Sequence, residues 1–116
     1  MKKIQASALG VARGDTLLFS DFENDGEMWI GDGARQMRSH VAFDEPFVDT
    51  PVVSVSLTMW DFASEANARA DVRAEDVTAD GFAILFRTWG DTKVARARVG
   101  WIAIGPAKDD ELWELY

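Results

Sequence analysis

Apolar and polar residues alternate most regularly between Gly81 and Gly105, GFAILFRTWGDTKVARARVGWIAIG. Before Gly90, Phe82, Ile84 and Phe86 share one phase, and Leu85, Arg87 and Trp89 the other. After it, Ala95, Ala97, Val99, Trp101 and Ala103 alternate with Arg96, Arg98, Gly100, Ile102 and Ile104. Successive side chains of an extended chain point to opposite sides, so a period of two over two long runs predicts two strands. Gly90-Asp91 between them suits a type II′ turn, whose first central residue needs a positive φ. The segment is expected to be a β-hairpin with one buried face, at the centre of the fold.

The same period recurs along the rest of the chain. Val53, Val55, Leu57 and Met59 oppose Ser54, Ser56 and Thr58, which predicts a half-buried strand ending at Trp60-Asp61. Arg38 to Phe43 alternates with Val41 and Phe43 inward and His40 outward, and Pro46 and Pro51 bracket the loop that follows. Asp15 to Ser20 predicts a further strand, and Met1 to Gly10 a short edge strand around Ile4 and Leu9. The segment 62–77 is rich in alanine, which favours helix. Yet Ala70, Val72 and Ala74 alternate with Arg69, Asp71, Arg73 and Glu75, so a strand with a charged outer ladder fits better. Thr78 to Gly81 is the turn into the central pair. Strands this closely spaced leave no room for crossover helices and predict an all-β, antiparallel β-sandwich.

Composition narrows the functional classes. A chain of 116 residues makes one domain with a core of its own. It has no cysteine, which removes disulfides and thiolate metal sites. A formal charge of −8 argues against nucleic acid and against anionic lipid. No apolar run approaches the roughly 20 residues of a membrane span. Lys2-Lys3 is not followed by the apolar stretch of a signal peptide, so Sec export is not expected. The expectation is release, or display on a particle or cell surface, by way of a phage-like particle or another export route.

Candidate chemistry is sparse. The single histidine, His40, adjoins Ser39, but strand neighbours face opposite ways and cannot form a nucleophile–base pair. No catalytic residue and no cofactor is expected. Asp21, Glu23, Asp25, Gly26 and Asp32 approximate the spacing of a calcium-binding loop. Such a loop needs a helix on each side, whereas strand-like residues precede this one. It reads as a solvated turn, with no metal expected. Five tryptophans are more suggestive. An indole at a turn presents an apolar face to the C–H face of a sugar ring, and nearby charged groups can bind its hydroxyls.

The run Val41-Ala42-Phe43, Pro46-Phe47, Pro51-Val52-Val53, Leu57, Asp61, Asn67, Arg69, Val77-Thr78, Gly81-Phe82, Thr88-Trp89, Thr92-Lys93-Val94 and Trp101-Ile102-Ala103-Ile104 resembles the H-type lectin domain. That is the family of the snail agglutinins and the discoidin carboxy-terminal domain. The resemblance implies a six-stranded antiparallel sandwich, assembled as a homotrimer. It also implies that galactose or N-acetylgalactosamine-type sugars bind in clefts between subunits. It aligns the family's sugar-site aspartate, arginine and tryptophan with Asp32, Arg69 and Trp89, and it draws in the Gly90-Asp91 turn.

Two positions depart from the family pattern: its snail members have histidine where this chain has Gly90, and tyrosine where it has Ala95. Other readings of these residues stand alongside. Asp32 in Gly-Asp-Gly suits a turn. Arg69 continues the charged ladder of Asp71, Arg73 and Glu75, which suits an ion network at a subunit interface. Trp89 suits an interface anchor.

By this reading, residues 1–34 supply strands and an acidic loop that complete the sandwich. Residues 35–105 form the lectin-like core, and 106–116 an acidic, aromatic tail. Leu112, Leu115 and Tyr116 are expected on one face of a short helix, or Leu112 and Glu114 on an added strand. The runner-up function is a structural or adhesion module that kept the trimeric sandwich and lost the sugar.

Overall fold

The structure, a computed structural model, describes residues 1–109. The helix or added strand expected around Leu112 and Tyr116 lies outside the described residues. The elements run β1 (Leu9–Ser20), α1 (Glu27–Ile30), β2 (Arg35–Ala42), β3 (Val52–Phe62), β4 (Asp71–Glu75), β5 (Gly81–Thr88) and β6 (Val94–Pro106). They form two three-stranded antiparallel sheets, ordered β1–β6–β3 and β2–β5–β4. The expected six-stranded antiparallel sandwich is what the chain forms.

The expected central hairpin is not. β5 and β6 do not pair with each other; each is the middle strand of a different sheet. β5 has β2 and β4 on its two edges, and β6 has β1 and β3, so neither has an edge left for the other. Their apolar faces meet by stacking across the core, as in other sandwiches. Phe82, Ile84 and Phe86 on β5 and Val94, Ala97, Val99 and Ala103 on β6 are all fully buried. The turn at Gly90-Asp91 is thus a crossover between sheets rather than a type II′ hairpin turn. Gly90 does adopt a positive φ, 70°.

Aromatic rings fill the space between the sheets. Phe82 meets Trp101 edge-on at 5.3 Å, and Phe19 meets Phe86 in the same way at 5.3 Å. Trp101 fits because Gly14 pairs with it across β1: a Cβ at that position would come within 2.7 Å of the indole. A second difference lies in β1, which runs through Gly10 and Gly14. The separate edge strand expected around Ile4 and Leu9 does not form: Ile4 is outside any strand, and Leu9 opens one strand that runs to Ser20. Glycine inside a strand usually marks a bulge or a close approach, and here it is the second.

β3 alternates as expected, with Val53, Val55 and Leu57 packed against the core and Ser54, Ser56 and Thr58 exposed. The ambiguous segment forms strand β4, shorter than its alternation suggested. Arg69 lies before it, outside the ladder that Asp71, Arg73 and Glu75 do form on the outer face. There Asp71 accepts from Arg73 at 2.9 Å and from Arg87 at 2.6 Å, and Arg38 donates to Glu75 at 2.7 Å. Arg38 and Arg73 flank Leu85, whose 8% exposure on an outward position reflects cover by their alkyl stems.

The acidic turn after β1 has a structural task. Asp21 accepts the backbone N–H of Met28 at 3.0 Å, and its carbonyl accepts that of Gly26 at 2.9 Å. Asp21 thereby closes the turn with its carbonyl and satisfies an amide of the single-turn helix α1 with its carboxylate.

Candidate functional site

Three connections gather at one end of the sandwich: residues 31–34 entering β2, residues 63–70 entering β4, and the 89–93 crossover. Two threonines clasp the 63–70 connection to the end of β5 and the crossover. Thr92, with no exposed surface, donates its hydroxyl to the carbonyl of Asn67 at 2.6 Å and accepts the Arg69 N–H at 3.0 Å. Thr88, equally buried, donates to the Arg69 carbonyl at 2.6 Å. Backbone groups of an irregular segment, which have no ladder to satisfy them, find partners in this way.

Above this clasp lies Asp91. Its carboxylate accepts from Arg69 Nη1 at 2.7 Å and from Asn67 Nδ2 at 3.2 Å, with the Asn67 backbone N–H at 3.4 Å. These donors favour the charged form, so the Asp91 carboxyl is held below the usual carboxylate range. The Asn67 N–H acts most strongly, its side-chain amide next, and Arg69 adds to both. The Arg69 guanidinium lies against Gly90, where a Cβ would come within 3.2 Å of Nη1. Its Nε and Nη2 have no partner among the described residues.

Asp32 reaches the same end by a different device. Arg35 is only 5% exposed and has no carboxylate partner among the described residues. Its Nε donates to the Gly33 carbonyl at 3.0 Å and Nη1 to that of Gly31 at 3.1 Å, which are the two carbonyls flanking Asp32. Nη1 also reaches Met28 O at 3.2 Å, and Nη2 donates to Thr92 O at 2.6 Å. A backbone bond from Gly33 N to Gly90 O, 2.8 Å, completes the link between the two loops. The Asp32 carboxylate itself is exposed and accepts no hydrogen bond from a described residue.

Trp89 stands 44% exposed beside this junction, bordering an open hollow of about 550 Å³ with Arg35, Gln36 and Arg87. All five residues singled out from the sequence therefore lie at one end of the molecule. Gly90 touches both the Asp32 loop and Arg69. Arrayed there are a carboxylate and guanidinium N–H groups without a partner among the described residues, and a half-exposed indole, a set suited to hydroxyls and an apolar ring face.

Reasoning from sequence missed Arg35, and it assigned no role to Asn67, Thr88 or Thr92. A signal for Arg35 was present: it shares the inward phase of β2 with Met37, Ser39 and Val41, where a charge is out of place unless it is fully bonded. Ala95, at the position of the family's tyrosine, is 5% exposed and presents nothing to a ligand. His40 stands exposed on the outer face of β2.

Comparison with known proteins identifies a family and several relatives. The profile of the H-type lectin domain matches residues 38–104. A protein of Fuscovulum blasticum called ATP synthase subunits region ORF 7 is 50% identical over 109 residues, covering 94% of this chain and 95% of that protein. Discoidin-2 of Dictyostelium discoideum is 30% identical over 87 residues, 68% of this chain and 34% of discoidin-2. The solved structure of recombinant discoidin II from the same organism superposes with a TM-score of 0.72 at 24% identity. That match covers 90% of this chain and 40% of discoidin II.

Proposed function

The chain belongs to the H-type lectin domain family, and from that premise we propose that it binds galactose- or N-acetylgalactosamine-type sugars as a homotrimer. In this reading the sugar rests on the 89–93 crossover. Trp89 packs against its C–H face, the Asp32 carboxylate accepts from ring hydroxyls, and Arg69 Nε and Nη2 donate to hydroxyl or ring oxygens. Gly90 and Asp91 form the floor, with Asp91 holding Arg69 in place. The observation that carries the reading is the Gly33–Gly90 backbone bond, which seats the loop bearing Asp32 on the loop bearing Trp89.

Each site is weak. The histidine and tyrosine of the snail agglutinins are absent, and each lost hydrogen bond is worth about 1 kcal/mol. A millimolar Kd, about −4 kcal/mol, is the expected scale per site. Three copies on one particle would raise the apparent affinity by about 10²–10⁴.

A second reading, an assembly module without a sugar, draws on the burial of Ala95 and on the Arg69–Asp91 ion pair, which occupies part of the guanidinium. Retention on immobilised galactose or N-acetylgalactosamine separates the two. Wild type should be retarded, and Trp89→Ala and Asp32→Ala should each elute in the void volume with their folding intact. No retardation of the wild type on either matrix would leave the assembly reading.

A further inference from the structure

The charged outer face of the β2–β5–β4 sheet ends in the hollow beside Trp89, and strand register says what lines it. Across β2 and β5, Arg35 pairs with Thr88 and Gln36 with Arg87. Trp89 follows two residues after Arg87 and shares its outward phase. Side chains directly opposite on one face stand about 4.5–5.5 Å apart at Cβ, so Gln36 and Arg87 make one wall together. The half-exposed indole makes another, and the space they border is about 550 Å³.

The charges around this hollow run against those of the whole chain. The protein carries a formal charge of −8, yet the hollow is lined by two guanidiniums, Arg35 and Arg87, and by no carboxylate. Arg35 is bonded to backbone carbonyls, which leave its charge uncancelled. Arg87 donates Nε and Nη2 to Asp71 Oδ2, at 3.1 and 2.6 Å. The same oxygen accepts from Arg73 Nε and Nη2, at 3.3 and 2.9 Å. Two cations thus share one carboxylate, and the cluster keeps a surplus positive charge. The other carboxylates of this face, Glu75 and Asp76, are bound to Arg38. Asp91 is bound to Arg69, and Asp32 does not line the hollow.

Donors are present there as well. Arg87 Nη1 and the Gln36 carboxamide have no hydrogen-bond partner among the described residues. A guanidinium N–H beside an amide N–H suits the oxygens of a carboxylate or a sulfate, and bonds to an ionised acceptor are about twice as strong as neutral ones. A ring packed on Trp89 lies in the same hollow, so its substituents come within reach of this pair.

We propose that the hollow is a subsite for an acidic sugar: a carboxylate or sulfate, on the ring packed against Trp89 or on the residue linked to it, is held by Arg87 Nη1 and Gln36 Nε2. This rests on the sugar-binding reading above and names the class of glycan that the site prefers.

The test is an NMR titration of the full chain with galactose, galacturonic acid, N-acetylgalactosamine and N-acetylgalactosamine 6-sulfate. The acidic member of each pair should bind about fivefold tighter at low salt, the scale of one exposed charged contact. That advantage should vanish in about 1 M salt, where the screening length is about 3 Å. The Gln36 side-chain amide should shift with the acidic sugars and stay in place with the neutral ones. A preference for only one of the two acidic sugars supports the subsite and identifies the group it takes.

In Arg87→Gln, acidic and neutral sugars should bind alike. Asp71 keeps Arg73 as its partner in that variant, so the sheet should fold, and circular dichroism checks that it does. Equal binding of acidic and neutral sugars by wild type, or a preference that survives Arg87→Gln, would overturn the subsite and leave the sugar reading intact. No binding of any of the four sugars would overturn the sugar reading and this inference with it.

Discussion

Arg35 Nη2 donates to the carbonyl of Thr92 at 2.6 Å, across 57 residues of sequence. The same guanidinium holds the carbonyls on both sides of Asp32. One buried cation thus fixes the backbone of the loop bearing the site carboxylate and ties it to the crossover bearing the site indole. It needs no counter-ion because carbonyl oxygens converge on it, and a planar fork of five donors suits several acceptors in fixed directions.

Replacing that fork should loosen the site more than it unsettles the sandwich. Arg35→Lys keeps the charge but cannot reach the Gly31, Gly33 and Thr92 carbonyls together. It should cost about 2–4 kcal/mol, the scale of losing one or two hydrogen bonds to a charged group. Thermal unfolding reads the loss of stability. Hydrogen exchange should show the Gly33 amide, bonded to Gly90 O, exchanging faster while the amides of β5 stay protected.

The clasp on Asp91 should respond to acid. Its carboxyl lies below the usual range in the folded protein, first because of the Asn67 N–H. The folded state therefore binds that proton more weakly than the unfolded chain. The stabilisation is complete above the unfolded carboxylate pKa of about 3.9 and is lost as pH falls through the lower folded value. The melting-temperature gap between wild type and Asp91→Asn should be constant near neutrality and close below about pH 4. A gap that persists unchanged in acid would contradict this assignment.

On the charged face, Arg73→Ala should matter little. Asp71 keeps Arg87 as its partner at 2.6 Å, and exposed ion pairs are worth about 0–1 kcal/mol. The variant should unfold within about 1 kcal/mol of wild type and keep its assembly mass. A variant that dissociates would place a subunit interface on the β2–β5–β4 face.

The alternation from Gly81 to Gly105 was legible as two strands, but their partners were not. Period two reports which side chains share a face, and two apolar faces meet equally well in one sheet or across two. A cue did exist in β5: Ala83 and Leu85, on the phase opposite to Phe82 and Ile84, are also uncharged. Both are buried at 4% and 8% exposure, as in a strand flanked on both edges. The convergence at Gly90 was out of reach for a related reason. Thr92, Asn67 and Arg35 lie in three separate segments, and only the closed fold shows that one hydroxyl and one guanidinium join them. Asp32, Arg69 and Trp89 could be named from family likeness. That Asp91 partners Arg69, removing Arg69 from the charged ladder, required coordinates.

The central claim is a sugar seated on the 89–93 crossover, and the most direct test is an NMR titration of the labelled full chain with N-acetylgalactosamine. The account predicts saturable shifts in the millimolar range, confined to the Trp89 indole N–H, the amides of Asp32, Gly33, Gly90 and Asp91, and the Arg69 side chain. An unchanged spectrum at tens of millimolar sugar, or shifts only on the outer face of the β1–β6–β3 sheet, would contradict it.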